Sequence, residues 1–238
     1  MTNPIDISVV VPVYNEEDNL EKLISDWHTK LKEKLDNQFE FVIVEDGSKD
    51  RTKQIIKDLE KNYPIVNLSQ DERRGYTKAV LDGIKGSNGE YILCTDSDNQ
   101  IKVSSLIENL NNLPFNEEFI FGYRNPRKDP FNRLLYSQLF KIYHDIIFNS
   151  KLKDPSCPFV LGKKKLYMSL PFEELSKMKE GFWWGFVGAC ILNKFQFFEI
   201  KINHRKRLKG NTNVYKLHKL PLIAIRNALG LLKLRFGF

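Results

Sequence analysis

Between residues 7 and 94 the chain repeats one pattern: a short apolar, β-branched run, a polar segment, then an apolar stripe at helical spacing. This alternation constrains the fold more than any other feature. The run at 7–13 (ISVVVPV) is nearly continuous, as expected of a strand covered on both faces. Residues 39–44 form a second run, a third strand is expected around 66–68, and residues 91–94 form a fourth. Leu20, Leu23, Ile24, Trp27 and Leu31 fall on one helical face, with Asn15 as the expected cap. Ile55, Ile56 and Leu59 mark a second helix, and Ala79, Val80 and Ile84 a third. Strands alternating with helices imply right-handed crossovers and a mostly parallel α/β sheet with helices on both faces. Ligands in such sheets bind beyond the carboxyl ends of the strands. The polar segments at 12–17, 45–50 and 96–100 are therefore predicted to meet along one edge.

The most specific of these segments is Asp96-Ser97-Asp98-Asn99-Gln100. Two carboxylates one residue apart at a strand end can direct hard oxygen ligands at a divalent cation holding a diphosphate. A neutral Gln100 oxygen beside Asp98 keeps the site's negative charge low, which suits weakly held Mg²⁺ or Mn²⁺. Taken alone, Asp46-Gly47-Ser48 reads first as a turn with a helix cap, and Arg74-Gly75-Tyr76-Thr77-Lys78 can be a plain basic loop.

Together, Pro12-Val13-Tyr14-Asn15-Glu16-Glu17, the segment 45–52 (EDGSKDRT), and Gly89-Glu90-Tyr91-Ile92 ending in 96–100 resemble inverting family-2 glycosyltransferases of the GT-A fold. With Gly122-Tyr123-Arg124 and Arg207-Leu208-Lys209-Gly210, the pattern is most similar to the dolichyl- or polyprenyl-phosphate glycosyltransferases. The resemblance implies that Asp46 bonds a nucleotide base in a pocket lined by Pro12, Tyr14 and Glu16. It places Gly75 and Lys78 near the ribose or phosphates, makes Asp98 and Gln100 the metal ligands, and has Asp96 orient the donor or the metal's water shell. Glu45 stands where an aspartate is common.

Downstream, residues 119–121 read as a fifth strand, followed by a loop with two prolines and three cations. A helix is expected from about Asn132, with Leu135, Leu139, Ile142, Tyr143 and Ile146 on its inner face. Arg133 and Ser137 share one face of its start, where the helix dipole favours an anion. The resemblance implies that Arg124, Arg133 and Ser137 hold an acceptor phosphate and that Arg207 closes over the donor diphosphate. Asp154-Pro155-Ser156-Cys157-Pro158-Phe159 resembles a D-x-x-C-G-F segment of the family, with Pro158 in place of glycine. The aromatic cluster at 181–186 is expected to be core. No Asp or Glu lies between Glu180 and Glu199, where many family-2 enzymes place a general base. A phosphate acceptor is already anionic and needs positioning, not deprotonation.

Net charge is 37 − 30 = +7, yet residues 201–238 hold ten Lys or Arg and no Asp or Glu, so the remainder sums to −3. Localised cationic charge beside a leucine-rich tail points to an anionic membrane surface. Nucleic acid is disfavoured, because the acidic motifs repel phosphate without a metal. The longest apolar run of the tail, 220–225, is far short of the ~20 residues that span a bilayer. Lys219, Arg226 and Lys233 recur every seven residues, so the tail reads either as an interfacial helix or as one packed on the domain. A GT-A domain at 1–215 and a basic segment at 216–238 are expected. With no signal peptide before the first strand and no disulfide or zinc spacing among Cys94, Cys157 and Cys190, a cytoplasmic location on the inner membrane face is expected. The expected activity is transfer of a sugar from a UDP- or GDP-sugar to a polyprenyl phosphate. The alternatives are a glycosyltransferase acting on a sugar hydroxyl and a non-catalytic nucleotide-sugar-binding subunit.

Overall fold

The computed structural model describes residues 7–35, 38–108, 118–178, 181–205 and 220–237. In chain order the elements are β1 (Ile7–Val13), α1 (Leu20–Leu35), β2 (Phe39–Asp46), α2 (Thr52–Leu59), β3 (Ile65–Gln70), α3 (Tyr76–Gly86), β4 (Tyr91–Cys94) and α4 (Ser104–Ile107). There follow β5 (Glu118–Arg124), α5 (Phe131–Phe148), β6 (Val160–Lys163), α6 (Lys164–Met168), α7 (Phe172–Ser176), α8 (Phe182–Leu192), β7 (Gln196–Ile202) and α9 (Leu220–Phe236). The sheet order is β3-β2-β1-β4-β6-β5-β7. β6 runs antiparallel to both neighbours, and every other pairing is parallel.

Because side chains alternate across a strand, β1 feeds two cores. Val9, Val11 and Val13 pack with Leu23, Ile24 and Trp27 of α1 on one face. On the other, Val10 packs with Val42, Val80 and Ile84, in a core that continues to Phe119 and to Phe182, Trp183 and Phe186 of α8. The aromatic cluster is therefore core, as expected. A side chain at Gly83 would collide with Val10 and Val44, so this glycine lets α3 lie close on the sheet.

Two expectations fail. Asn15 does not cap α1: it sits at φ 53°, and its Oδ1 accepts from Lys49 N at 2.8 Å, while the Leu20 amide donates to Glu16 O. On α5 the expected inner face is largely the outer one, with Leu135, Leu139, Ile142 and Ile146 exposed. The core side instead carries Phe140, Tyr143, His144, Ile147 and Phe148, packed on Trp184, Ile191 and Leu231. α5 has two apolar stripes, and α8 and α9 cover only one of them. α9 packs on α5 and α8 with Leu231 in the shared core, and Tyr143 Oη donates to Ala228 O at 2.9 Å; Ile223 is also buried. Leu222, Ile225, Leu229 and Phe236 remain outside, with Arg226 and Lys233 exposed among them; Lys219 lies outside the described residues.

Candidate active site

The strand ends gather the residues expected to bind the donor. Pro12 closes β1 beside Val44, and Glu16, buried just beyond, accepts from Asn19 Nδ2 at 2.7 Å. At the end of β2 the Asp46 carboxylate accepts from the amides of Arg74 (2.7 Å) and Gly75 (2.9 Å). Gly47, at φ 70°, makes this docking possible, since a Cβ there would lie 2.6 Å from Arg73 N. The Arg73 guanidinium lies 3.9 Å over the Tyr14 ring and 3.9 Å from Asp46 Oδ2, so Tyr14, Asp46 and Gly75 are held in one cluster. Lys78 is exposed on the first turn of α3. Glu45, fully buried, is turned into the fold: it accepts from the Ser48 amide and, at 3.0 Å, from the Ser69 hydroxyl, and pairs with Lys53. Its longer side chain anchors the turn.

The Asp96–Gln100 loop is stitched to the segment after β7. Arg205 N donates to Gln100 O at 2.9 Å, and Arg205 Nε and Nη2 grip the Asn99 carbonyl and side-chain oxygens. Ile101 bridges His204, and Gln100 Nε2 donates to Arg205 O at 3.1 Å, which turns the amide oxygen the other way. Burial, and then the neighbouring Asp98 charge, push the Asp96 carboxyl up to about 6. Like charges crowded at a strand end beside an orientable amide oxygen fit a hard divalent cation, which would relieve the repulsion. Among the described residues no cluster of three or more His, Cys, Asp or Glu could hold a metal. Asp98 and Gln100 supply the hard oxygens for the mode in which Mg²⁺ or Mn²⁺ takes few protein ligands and completes its shell with substrate phosphates. Arg207 lies outside the described residues.

Asp96 is also tied inward. Tyr76 Oη donates to Asp96 Oδ1 at 2.6 Å, and Trp183 Nε1 donates to Tyr76 Oη at 2.7 Å. The sequence analysis gives neither aromatic residue a role at this carboxylate: Tyr76 is read only as part of the basic loop 74–78, and Trp183 only as part of the aromatic cluster at 181–186.

Between β5 and α5, where the sequence analysis expects an acceptor phosphate, lies a cavity of about 340 Å³ lined by Arg124, Arg127, Ser137, Lys141, Lys153 and Trp184, among others. Arg124 is committed to a buried pair: its Nε and Nη2 donate to Asp154 at 2.7 and 2.9 Å, and Nη2 also reaches Ser156 Oγ at 2.7 Å. Burial opposes the Asp154 charge, but Arg124, by charge and hydrogen bond, holds this carboxyl well below the usual range. Arg127 donates to Ser137 Oγ at 2.8 Å and pairs with Asp129, which also pairs with Arg133 at 3.2 Å. The structure thus brings Arg124 and Ser137 to one cavity, sets Arg133 against Asp129, and adds Arg127, Lys141 and Lys153. His204 Nδ1 accepts from Lys128 N at 3.1 Å; burial, then Arg124, lower this imidazole to about 4.

A family model described as "Glycosyl transferase family 2" matches residues 8–175. A dolichyl-phosphate beta-glucosyltransferase of Trichomonas vaginalis is 39% identical over 102 residues, 41% of this chain and 32% of that protein. A dolichol-phosphate mannosyltransferase of Pyrococcus furiosus is 29% identical over 143 residues, 56% of this chain and 38% of that one. The chain thus matches about a third of the length of each of these relatives. The solved glucosyl-3-phosphoglycerate synthase of Mycobacterium tuberculosis, in complex with Mn²⁺, UDP and glucosyl-3-phosphoglycerate, superposes with a TM-score of 0.67 at 17% identity, covering 97% of this chain and 80% of that one. That likeness bears on the fold, which is GT-A.

Proposed function

The chain belongs to glycosyl transferase family 2, and from that premise we propose that it moves a sugar from a UDP- or GDP-sugar to a polyprenyl phosphate at an anionic membrane surface, using Mg²⁺ or Mn²⁺. One observation carries the acceptor assignment. The cationic cavity is lined by Leu134, Ser137, Gln138 and Lys141 of α5, and the same helix exposes Phe131, Leu135, Tyr136, Leu139, Ile142 and Ile146 beside it. Phe131 is 81% and Ile146 75% exposed. A lipid phosphate needs this pairing: a cationic seat for the headgroup and, adjoining it, an apolar face toward the acyl region. α9 extends that face with Leu222, Ile225 and Leu229 and adds Arg226, Lys233 and Arg235, which favour anionic lipid. Among the described residues no helix is long and apolar enough to cross a membrane, which fits peripheral attachment, here assigned to the cytoplasmic face. The names of the two curated relatives support the same acceptor class.

In this reading Pro12, Tyr14, Glu16 and Asp46 receive the nucleotide base, and Gly75 and Lys78 its ribose or phosphates. Asp98 and Gln100 would hold the cation, which supplies positive charge to the departing diphosphate. Arg207 would add to it, and Asp96 orients the donor. Arg127 and Ser137, backed by Arg124 and Arg133, position the acceptor phosphate. An acceptor oxygen attacks the anomeric carbon as the bond to the diphosphate breaks on the opposite face, inverting the configuration. No general base is required.

The test supplies purified protein with UDP- and GDP-sugars, MgCl₂ or MnCl₂, and either polyprenyl phosphate or a sugar-hydroxyl acceptor. Sugar-lipid product that depends on the cation is expected, together with loss of Mn²⁺-dependent nucleotide binding in Asp98→Asn by calorimetry. Product on the hydroxyl acceptor alone would reject the lipid assignment. Nucleotide binding without turnover on either acceptor would favour a non-catalytic subunit.

A further inference from the structure

Asp96 is reached by a two-step hydrogen-bond chain that begins in the aromatic core. The indole of Trp183 can only donate, and an ionised carboxylate can only accept. The Tyr76 hydroxyl between them carries a single proton. Accepting from Trp183 at 2.7 Å therefore commits that proton to Asp96 Oδ1 at 2.6 Å, and the order of donors along the chain is fixed. A charge-assisted bond of this length is among the stronger side-chain contacts. Both donors are anchored elsewhere. Tyr76 opens α3 directly after Gly75, whose amide is held by Asp46, and the next residue, Thr77, donates its hydroxyl to Met178 O. Trp183 is packed against Phe182 and Phe186. Neither ring can follow Asp96 if the carboxylate swings.

We propose that Tyr76 is a positioning residue for Asp96, and that Trp183 sets the direction of the Tyr76 hydroxyl. With Oδ1 taken, the Asp96 carboxylate is fixed in plane, and Oδ2 is the oxygen presented to the donor sugar or to the water shell of a cation at Asp98. The chain crosses the molecule from the donor loop to α8, whose next residue, Trp184, forms part of the acceptor cavity wall. This inference rests on the family-2 reading of the site and adds two residues to which that reading gives no role.

The experiment compares wild type, Tyr76→Phe, Trp183→Phe and the double variant, with MnCl₂ and either UDP-glucose or GDP-mannose. Donor hydrolysis and transfer to polyprenyl phosphate are followed, with calorimetry for UDP and GDP and melting for the fold. Tyr76→Phe keeps the ring and removes only the hydroxyl. It should lower kcat roughly 10- to 100-fold, the range of a lost hydrogen bond to a charged group, while the donor KM and the nucleotide Kd stay within about threefold. Trp183→Phe should lower kcat in the same direction but less, and should do nothing further in the Tyr76→Phe background, because it acts through that hydroxyl. Full turnover in Tyr76→Phe overturns the proposal. So do additive losses in the double variant, or losses that merely track a lower melting temperature. A wild type that binds neither UDP nor GDP with Mn²⁺ overturns the functional reading and this inference with it; normal binding and turnover with an indifferent Tyr76→Phe overturn the inference alone.

Discussion

Helices α1 and α5 carry apolar stripes at the same spacing and meet opposite fates. On α1, Leu20, Leu23, Ile24, Trp27 and Leu31 are all buried against the sheet. On α5, Leu135, Leu139, Ile142 and Ile146 repeat with that regularity and face outward. The reason lies on the other side of α5, where Tyr143, His144, Ile147 and Phe148 already occupy the contact with α8 and α9. Amphipathic spacing identifies a stripe that must be covered, but not what covers it. The start of α5 is held by charge: Arg127 bonds Ser137, and Asp129 pairs with Arg133 on the helix's first turn.

The sharpest way to break this comparison is to empty one stripe at a time. Trp27→Ala should cost about 3–5 kcal/mol of folding stability, through lost burial and the cavity it leaves, measured by urea denaturation. Ile146→Ala, at a position 75% exposed, should stay within about 0.5 kcal/mol. Equal losses would mean that the α5 stripe is covered by protein in solution, and the contrast would fail.

The charged anchor comes next. Arg124 and Asp154 side chains are only 7% and 6% exposed. Asp154→Asn leaves the guanidinium buried opposite a neutral group and should cost roughly 3 kcal/mol near neutral pH. The sign with pH follows from the depressed carboxyl. Its contribution is complete above the unfolded-state value of about 3.9 and fades as pH falls from there toward the folded-state value. Acid titration of stability should therefore be steeper in wild type than in Asp154→Asn below about pH 4. Parallel acid limbs would show that Asp154 is not the group responsible.

The fold of the β1–β4 half was legible because its signals are local. β1 reads as a doubly covered strand and β2 as a second apolar run, and almost every side chain in both is buried; strand ends gather polar loops by topology alone. Asn15 was misread because its amide finds Lys49 across the sheet edge, a contact 34 residues away that no capping pattern encodes. Tyr76 and Trp183 stand 107 residues apart, so their link to Asp96 is created only by the packing of α8 on the sheet. The commitment of Arg124 to Asp154 was not legible, for the same reason of distance along the chain.

The exposed stripe makes a further prediction if a bilayer covers it. Leu139→Asp should leave folding unchanged and weaken sedimentation with anionic liposomes by about 1.5–3 kcal/mol, the value of one leucine withdrawn from an apolar phase. Trp27 variants that remain folded should bind liposomes normally, since α1 faces the sheet.

The smallest effect concerns the cations of α9. Arg226 and Lys233 are exposed on the helix that carries Leu222, Ile225 and Leu229 outward, and each cation near an anionic surface adds about 1 kcal/mol of attraction. Replacing both with Gln should weaken binding to phosphatidylserine vesicles by about 2 kcal/mol at low ionic strength. The difference from wild type should shrink as salt rises to about 1 M, where the Debye length is near 3 Å. The loss in Leu139→Asp should persist across the same range, because apolar burial is not screened. If salt cancels both losses alike, the α5 stripe contributes nothing to membrane binding and the attraction is carried by charge alone. If it cancels neither, Arg226 and Lys233 act through packing on the domain, and α9 belongs to the protein's own core as fully as α1 does.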